Sequence, residues 1–269
     1  QIYSQTGLLL PSSPFFDEII EHKAFTLGYS EDHEQARWVS YELTRAEVYG
    51  TQKRRDEFRE DPHVSTGSAK PIDYKGSGYD RGHLAPAADM KLNQNYMSES
   101  FYMSNISPQL PGFNRGVWKR LETTVRQIAI NNESIYIVTG PILTENMGNI
   151  GPSEVTIPSY FYKVILDYAG SEIKSIGFIL PNQSSKLSLS FFAMSVDVVE
   201  ERTGLDFFPF LQDDIEDSLE AVYDYSLWTG KKVEGVFQDS PGRCKAITQK
   251  GSQCKRKANS GSKYCWQHK

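Results

Sequence analysis

Tyr79-Asp80-Arg81-Gly82-His83-Leu84-Ala85-Pro86-Ala87-Ala88-Asp89 packs more chemical roles into fewer residues than any other stretch of the chain. Asp80 and Arg81 are a charge pair, and His83 carries a ring that can take or give a proton near neutral pH. The apolar run Leu84-Ala85-Pro86-Ala87-Ala88 predicts that this polar knot is held against a core. A histidine beside an apolar run is more often structural than catalytic, so the decision rests on what lies downstream. Just upstream, Asp73-Tyr74-Lys75-Gly76-Ser77-Gly78 is glycine-rich turn material that lets the chain enter the stretch closely.

Asn105 follows in Ser104-Asn105-Ile106-Ser107-Pro108-Gln109, and Asn114, Trp118 and Glu122 in Gly112-Phe113-Asn114-Arg115-Gly116-Val117-Trp118-Lys119-Arg120-Leu121-Glu122. From about Asn114 to Asn131, Val117, Trp118, Leu121, Val125, Ile128 and Ile130 recur mainly at three- and four-residue steps. That spacing predicts a helix with one buried face. Asn114 and Glu122 are eight positions apart, a little over two turns, so both can project from one face toward a common site.

These blocks, Asp-Arg-Gly-His, then Ser-Asn-x-x-Pro-Gln, then Asn-x7-Glu, resemble the signature of the DNA/RNA non-specific endonucleases of the ββα-metal type, over roughly residues 25–235. The resemblance implies an α+β fold with a central, largely antiparallel sheet flanked by helices. It implies metal-dependent hydrolysis of phosphodiester bonds in DNA and RNA, leaving 5′-phosphate ends. His83 is then the general base, and the side-chain oxygen of Asn114 is the ligand of a Mg²⁺ ion, with Mn²⁺ or another divalent ion as the alternative. Arg81 contacts the phosphate, Glu122 orients metal-bound waters, and Asn105 fixes His83 or the loop around the metal. Asp80 pairs within its own strand or turns Arg81. A substrate-contacting arginine falls on Arg54 or Arg55, within Lys53-Arg54-Arg55-Asp56-Glu57-Phe58, and the sequence does not settle the register.

The chemistry explains why these residue types belong together. Hydrolysis needs a base for water, which a neutral imidazole supplies. It also needs charge neutralisation at phosphorus and help for the leaving oxygen, which a divalent Lewis acid supplies. Mg²⁺ keeps most of its waters, so one protein ligand suffices, and an amide ligand leaves its full charge for the phosphate.

Elsewhere, Phe25–Tyr29 and Ala36–Leu43 read as strands joined by a polar turn, the second alternating Trp38, Ser40 and Glu42 with Val39, Tyr41 and Leu43. Ser134–Gly140 reads as a buried strand ending at a Gly-Pro turn, and residues 160–166 and 173–180 as a further strand pair. Ser195–Leu205 reads as a short helix closed by Gly204, and Ile215–Tyr225 as the last helix. Three parts are expected: an irregular N-terminal arm at 1–24, the nuclease domain at 25–235 and a basic appendage at 236–269.

Composition bounds the rest. The 269 residues are 39% hydrophobic and 23% charged, and no run of eighteen apolar residues is present to span a membrane. The chain starts at Gln1 rather than Met, which gives a weak expectation of export, secreted or periplasmic, with a leader removed. Net charge is −5, unevenly placed: residues 240–269 hold eight basic side chains and no acidic one, whereas residues 1–239 hold 21 basic and 34 acidic ones. A basic tail on an acidic body suits partners such as DNA and RNA. The tail also holds all three cysteines, Cys244, Cys254 and Cys265, with His268, a Cys₃His set that predicts a structural Zn²⁺ site. The sequence leaves open a homodimer and an inhibitor protein. Two other functions compete: a catalytically silent nucleic-acid-binding protein, and a phosphodiesterase acting on small phosphate esters. The sequon matches at Asn132 and Asn182 carry no weight.

Overall fold

The computed structural model describes residues 10–15, 17–168 and 173–229. Cys244, Cys254, Cys265 and His268 therefore lie outside the described residues, as does the start of the arm.

Side-chain alternation builds the main sheet. The strands are β1 (Glu18–Glu21), β2 (Thr26–Ser30), β3 (Gln35–Thr44), β4 (Asp80–His83), β5 (Ile106–Gln109), β6 (Ser134–Ile150), β7 (Val155–Asp167), β8 (Lys174–Pro181) and β9 (Ala193–Met194). Seven of them pair antiparallel in the order β1-β2-β3-β6-β7-β8-β9, while β4 and β5 pair only with each other. The α-helices of the described residues are α1 (Arg45–Val48), α2 (Gln94–Glu99), α3 (Lys119–Asn132), α4 (Val196–Thr203), α5 (Asp213–Glu220) and α6 (Ser226–Thr229).

Successive residues of a strand face opposite ways, so each face of the sheet needs its own cover. Val39 and Tyr41 of β3, Ile137 of β6 and Phe161 and Ile165 of β7 pack with Trp118, Leu121, Val125 and Ile128 on the α3 side. Trp38, Val138, Tyr162 and Val164 face the other way, onto Val196 and Val199 of α4 and Leu219 of α5. Burying each such side chain contributes roughly 1.5–3 kcal/mol, so the two clusters fix the three-layer α+β arrangement. Gly204 closes α4 with a left-handed φ of 72°, which its lack of a Cβ permits.

Four elements differ from the sequence expectation, among them the last helix: expected over Ile215–Tyr225, it runs Asp213–Glu220, and a separate short helix follows at Ser226–Thr229. The arm is not irregular throughout: β1 pairs with β2 from Glu18↔Tyr29 to Glu21↔Thr26, with Ile20 buried. Its four residues are too few to display a period of two to the eye. β6 does not stop at Gly140-Pro141. Pairing with β3 ends at Val39↔Thr139, and β6 runs on through Pro141 in register with β7, Pro141 facing Phe161. A Cβ at Gly140 would lie 2.2 Å from the Arg37 carbonyl oxygen, so this glycine answers a close backbone approach rather than a turn. Finally, the helix expected from Asn114 is broken. Residues Phe113–Trp118 form a wide turn with a non-helical Gly116 (φ −108°, ψ −107°), and regular α-helix begins at Lys119.

Candidate active site

β4, β5 and the helix that follows bring the sequence blocks together. In the β4–β5 pair Asp80 faces Gln109 and His83 faces Ile106. Gly82 is needed there: a Cβ on it would lie 2.2 Å from the side-chain amide carbon of Gln109, which packs flat across the strand. β5 is tied to the main sheet by Ser107 Oγ, which donates to Gln35 Oε1 at 2.6 Å.

Arg81 and His83 share one side of β4, as period two requires, and both meet Phe58. The Arg81 guanidinium lies 4.3 Å above the Phe58 ring, and the His83 ring is 5.4 Å from Phe58 and 5.0 Å from Phe101. His83 is 8% exposed, and its Nε2 has no hydrogen-bond partner among the described residues. Burial above all, then the Arg54 charge, pushes the imidazole pKa down to about 3; Asp56 opposes this and Arg81 adds to it. The ring is thus held neutral. Arg54 itself lies 5.1 Å over Phe101 and donates to Asp56 at 2.8 Å. Arg55 instead reaches Glu57 at 3.9 Å. Of the two arginines the sequence left open, Arg54 is the one whose charge acts on His83.

Asp80 does not turn Arg81, nor does it pair within its strand. It points across to the helix turn, where it accepts from Asn114 Nδ2 at 2.9 Å and from Arg115 Nε and Nη2 at 2.8 and 2.6 Å. A carboxylate only accepts, so this bond fixes which end of the Asn114 amide is nitrogen and leaves Oδ1 on the other side. The corner leading to Asn114 is held by Asn182. Its Oδ1 accepts from Leu110 N at 2.9 Å, and its Nδ2 donates to the carbonyls of Pro108 and Pro158 at 3.1 and 3.0 Å.

Glu122 sits on the first turn of α3 beside a buried charge network. Asp89 accepts from Arg126 Nη1 at 2.8 Å and from the Tyr41 hydroxyl at 2.9 Å. Burial and the Asp89 carboxylate push the Glu122 carboxyl up, while Lys163, Arg126 and Arg54 pull against them. Lys163, from β7, is 1% exposed and its Nζ lies 5.1 Å over the Trp118 ring. Burial lowers its ammonium pKa, and Glu122 and Asp89 hold it up. Arg54 acts on both His83 and Glu122, the charge common to the two.

Asn105 is fully buried and does not reach the His83 ring. Its Oδ1 accepts from Ala85 N, and its Nδ2 donates to the carbonyls of Ala85 and Ser100, all at 2.9 Å. It staples the backbone two residues beyond His83. Outside Arg81, an open depression of ≈ 470 Å³ is lined by Pro71, Ile72, Tyr74, Lys75, Tyr79, Asp80 and Arg81.

Sequence reading missed Asp89, Arg126 and Lys163, whose partners come from three separate elements. It also set Asn182 aside as a sequon, although the side chain is 3% exposed and engaged at both ends. For Asp80 the signal was present, since it opens the histidine block, but its partner was not.

The sequence matches the DNA/RNA non-specific endonuclease family over residues 11–214, beginning earlier than the three-block resemblance because β1 and the segment before it belong to the fold. Nuclease C1 from Cunninghamella echinulata var. echinulata is 36% identical over 208 residues, covering 71% of this chain and 82% of its own. Mitochondrial endonuclease G from Homo sapiens is 34% identical over 211 residues, covering 73% and 71%. A crystal structure of an EndoG/EndoGI complex, on the mechanism of EndoG inhibition, superposes with a TM-score of 0.69 at 31% identity, over 74% of this chain and 89% of that one. No helix among the described residues is long and apolar enough to cross a membrane, and mitochondrial relatives lend the expected export no support. The β4–β5 pair running into a helix, the three sequence blocks on it and relatives matched over most of their length agree: the chain belongs to the DNA/RNA non-specific endonuclease family.

Proposed function

We propose that this chain is a divalent-metal-dependent endonuclease that hydrolyses phosphodiester bonds of DNA and RNA, with His83 as general base. The observation that carries this reading is the neutral His83 ring set beside the exposed Arg81 on the Phe58 ring, with the Asn114 amide held by Asp80 of the same strand. A neutral imidazole, a fixed positive charge for the phosphate and an oxygen donor for a hard cation are the groups that activating water for phosphodiester attack requires.

The donor set fits a hard cation. Asp80 engages Asn114 Nδ2, which leaves Oδ1 as an oxygen ligand of the kind Mg²⁺ takes, Mn²⁺ being the nearest alternative. Such an ion, when bound, supplies Lewis acidity at the phosphate and at the departing 3′ oxygen. The chain's own groups do the remaining work. The His83 imidazole accepts the proton of the attacking water. A bound phosphodiester brings negative charge beside the ring and raises its pKa from about 3 toward the working range. Arg81, exposed and seated on Phe58, meets the phosphate with a permanent charge that stabilises the transition state. Arg54 contacts a neighbouring phosphate from the same aromatic shelf. Glu122 orients water, held among three cations. Asn105 is a positioning residue, acting through Ala85. Contacts to phosphate and sugar carry no base information, so cleavage has little sequence preference.

Residues 236–269 extend this reading as a basic appendage to the nuclease domain, with Cys244, Cys254, Cys265 and His268 as the ligands of a structural Zn²⁺. An inhibitor protein belongs to the relative, through its complex with EndoGI, and the chemistry here requires neither an inhibitor nor a homodimer.

The test offers plasmid DNA, single-stranded RNA and bis(4-nitrophenyl) phosphate in parallel, with Mg²⁺ and with EDTA, and maps the polymer ends. Metal-dependent cutting of both polymers to 5′-phosphate ends is expected. Turnover of the small ester alone would point to the phosphodiesterase reading. Tight binding of nucleic acid without cutting would point to the silent binder.

A further inference from the structure

Three side chains outside the residues assigned above converge on one point. His22 follows β1, and Asp61 and His63 end the charged connection that starts at Arg54. His22 Nε2 lies 2.9 Å from Asp61 Oδ2, and His63 Nδ1 lies 3.1 Å from Asp61 Oδ1. The potential ligand atoms of the three residues all lie within 4.8 Å of one another. The side chains of His22 and Asp61 are 1% and 0% exposed and that of His63 is 53% exposed, so the cluster is closed on one side and open to solvent on the other.

The rings are fixed in advance. His22 stacks on Tyr102 at 5.2 Å and tilts against Phe25 at 4.8 Å, and His63 meets His22 edge-on at 5.0 Å. Asp61 is further anchored by hydrogen bonds from Ser104 Oγ and His63 N. A lone buried aspartate would be satisfied by His22 and Ser104. The half-exposed His63 gains little from an ordinary ion pair at the surface, yet it too aims a ring nitrogen at the same carboxylate.

We propose that His22 Nε2, Asp61 and His63 Nδ1 bind one first-row divalent ion, Zn²⁺ in the first place, with water completing the site on the His63 side. Imidazole and carboxylate together suit borderline ions of this series. Zn–N and Zn–O bonds of about 2.0–2.2 Å put neighbouring tetrahedral ligands about 3.4 Å apart. The two contacts to Asp61 therefore need to open by only a few tenths of an ångström, while the two ring nitrogens, within 4.8 Å of each other, need to close by at most about 1.4 Å. Each ring binds through the nitrogen now facing Asp61, with its proton on the other nitrogen, so both remain neutral imidazoles.

The site is a clamp, not a second catalytic centre. It ties the end of β1 and the charged connection to the turn holding Ser104 and Asn105, and Asn105 holds the backbone after His83. An ion bound only by the folded chain stabilises it by mass action.

The experiment uses the untagged full chain with Cys244, Cys254 and Cys265 changed to Ser, so that no thiolate competes, in excess Mg²⁺. Co²⁺ is titrated and followed by absorption, and Zn²⁺ by its effect on Tm. One equivalent of Co²⁺ with visible d–d bands and no thiolate charge-transfer band is expected, together with a higher Tm in Zn²⁺. His63→Ala, at a half-exposed position that tolerates change, should lower Co²⁺ affinity at least tenfold and abolish the Tm rise. His22→Gln should do the same. Absence of d–d bands in the parent, or equal binding by His63→Ala, would overturn the proposal.

Discussion

His83 is packed between Phe58 and Phe101 with Arg54 and Arg81 nearby, and these neighbours set both its protonation and its reach. Its folded pKa of about 3 lies below the ordinary 6.5, so between those values the unfolded chain binds a proton that the folded one does not. Stability from this group is therefore fully present above pH 6.5 and lost as pH falls toward 3, by up to about 5 kcal/mol. Urea midpoints measured from pH 7 to pH 4 should fall less steeply in His83→Asn than in the parent chain; equal slopes would contradict the burial argument. Asp80 makes a separate prediction. Its carboxylate sets the Asn114 amide, so Asp80→Asn, which can also donate, should raise the Mg²⁺ concentration for half-maximal cleavage about 10–100-fold. An unchanged metal dependence would show that Asn114 needs no such partner.

At the scale of elements, the site is a strand pair and a broken helix held by a few side chains from elsewhere. Asn182 fixes the corner between β5 and the turn of Asn114, so Asn182→Ala leaves a backbone N–H and two carbonyls without their partner. Its urea midpoint should shift by the equivalent of about 1–3 kcal/mol. Gly82→Ala should do at least as much, since the new methyl meets the Gln109 side chain. What was legible in the sequence follows the same division. β3, α4 and the helix face of Leu121, Val125 and Ile128 announce themselves through local period, and the three blocks carry His83, Asn114 and Glu122 in order. The break at Gly116 was not legible, because apolar spacing continues smoothly across it. Nor was the Asp80–Asn114 bond, across 34 residues, or the Asn182 clamp, whose bonds span 24 to 74. A pattern within one element cannot report a partner supplied by another.

The whole molecule presents a puzzle of charge: residues 1–239 carry 34 acidic side chains against 21 basic ones, yet the substrate is a polyanion. In the proposed reading Arg81 meets the scissile phosphate and Arg54 a neighbouring one, and the eight basic residues of 240–269 are expected to add a non-specific hold. Changing Lys255, Arg256 and Lys257 to Gln should raise KM for plasmid and flatten its salt dependence, with kcat little changed. A fall in kcat alone would mean that the tail acts in chemistry. The most direct measurement is conversion of supercoiled plasmid by the parent chain with Mg²⁺, with EDTA, and by a folded His83→Ala variant. Relaxed and linear DNA only when both metal and His83 are present, with the variant slower by about 10²–10⁴-fold, is the expected result. Cleavage by His83→Ala at the parent rate would contradict the assignment of His83 as the base on which this reading of the site rests.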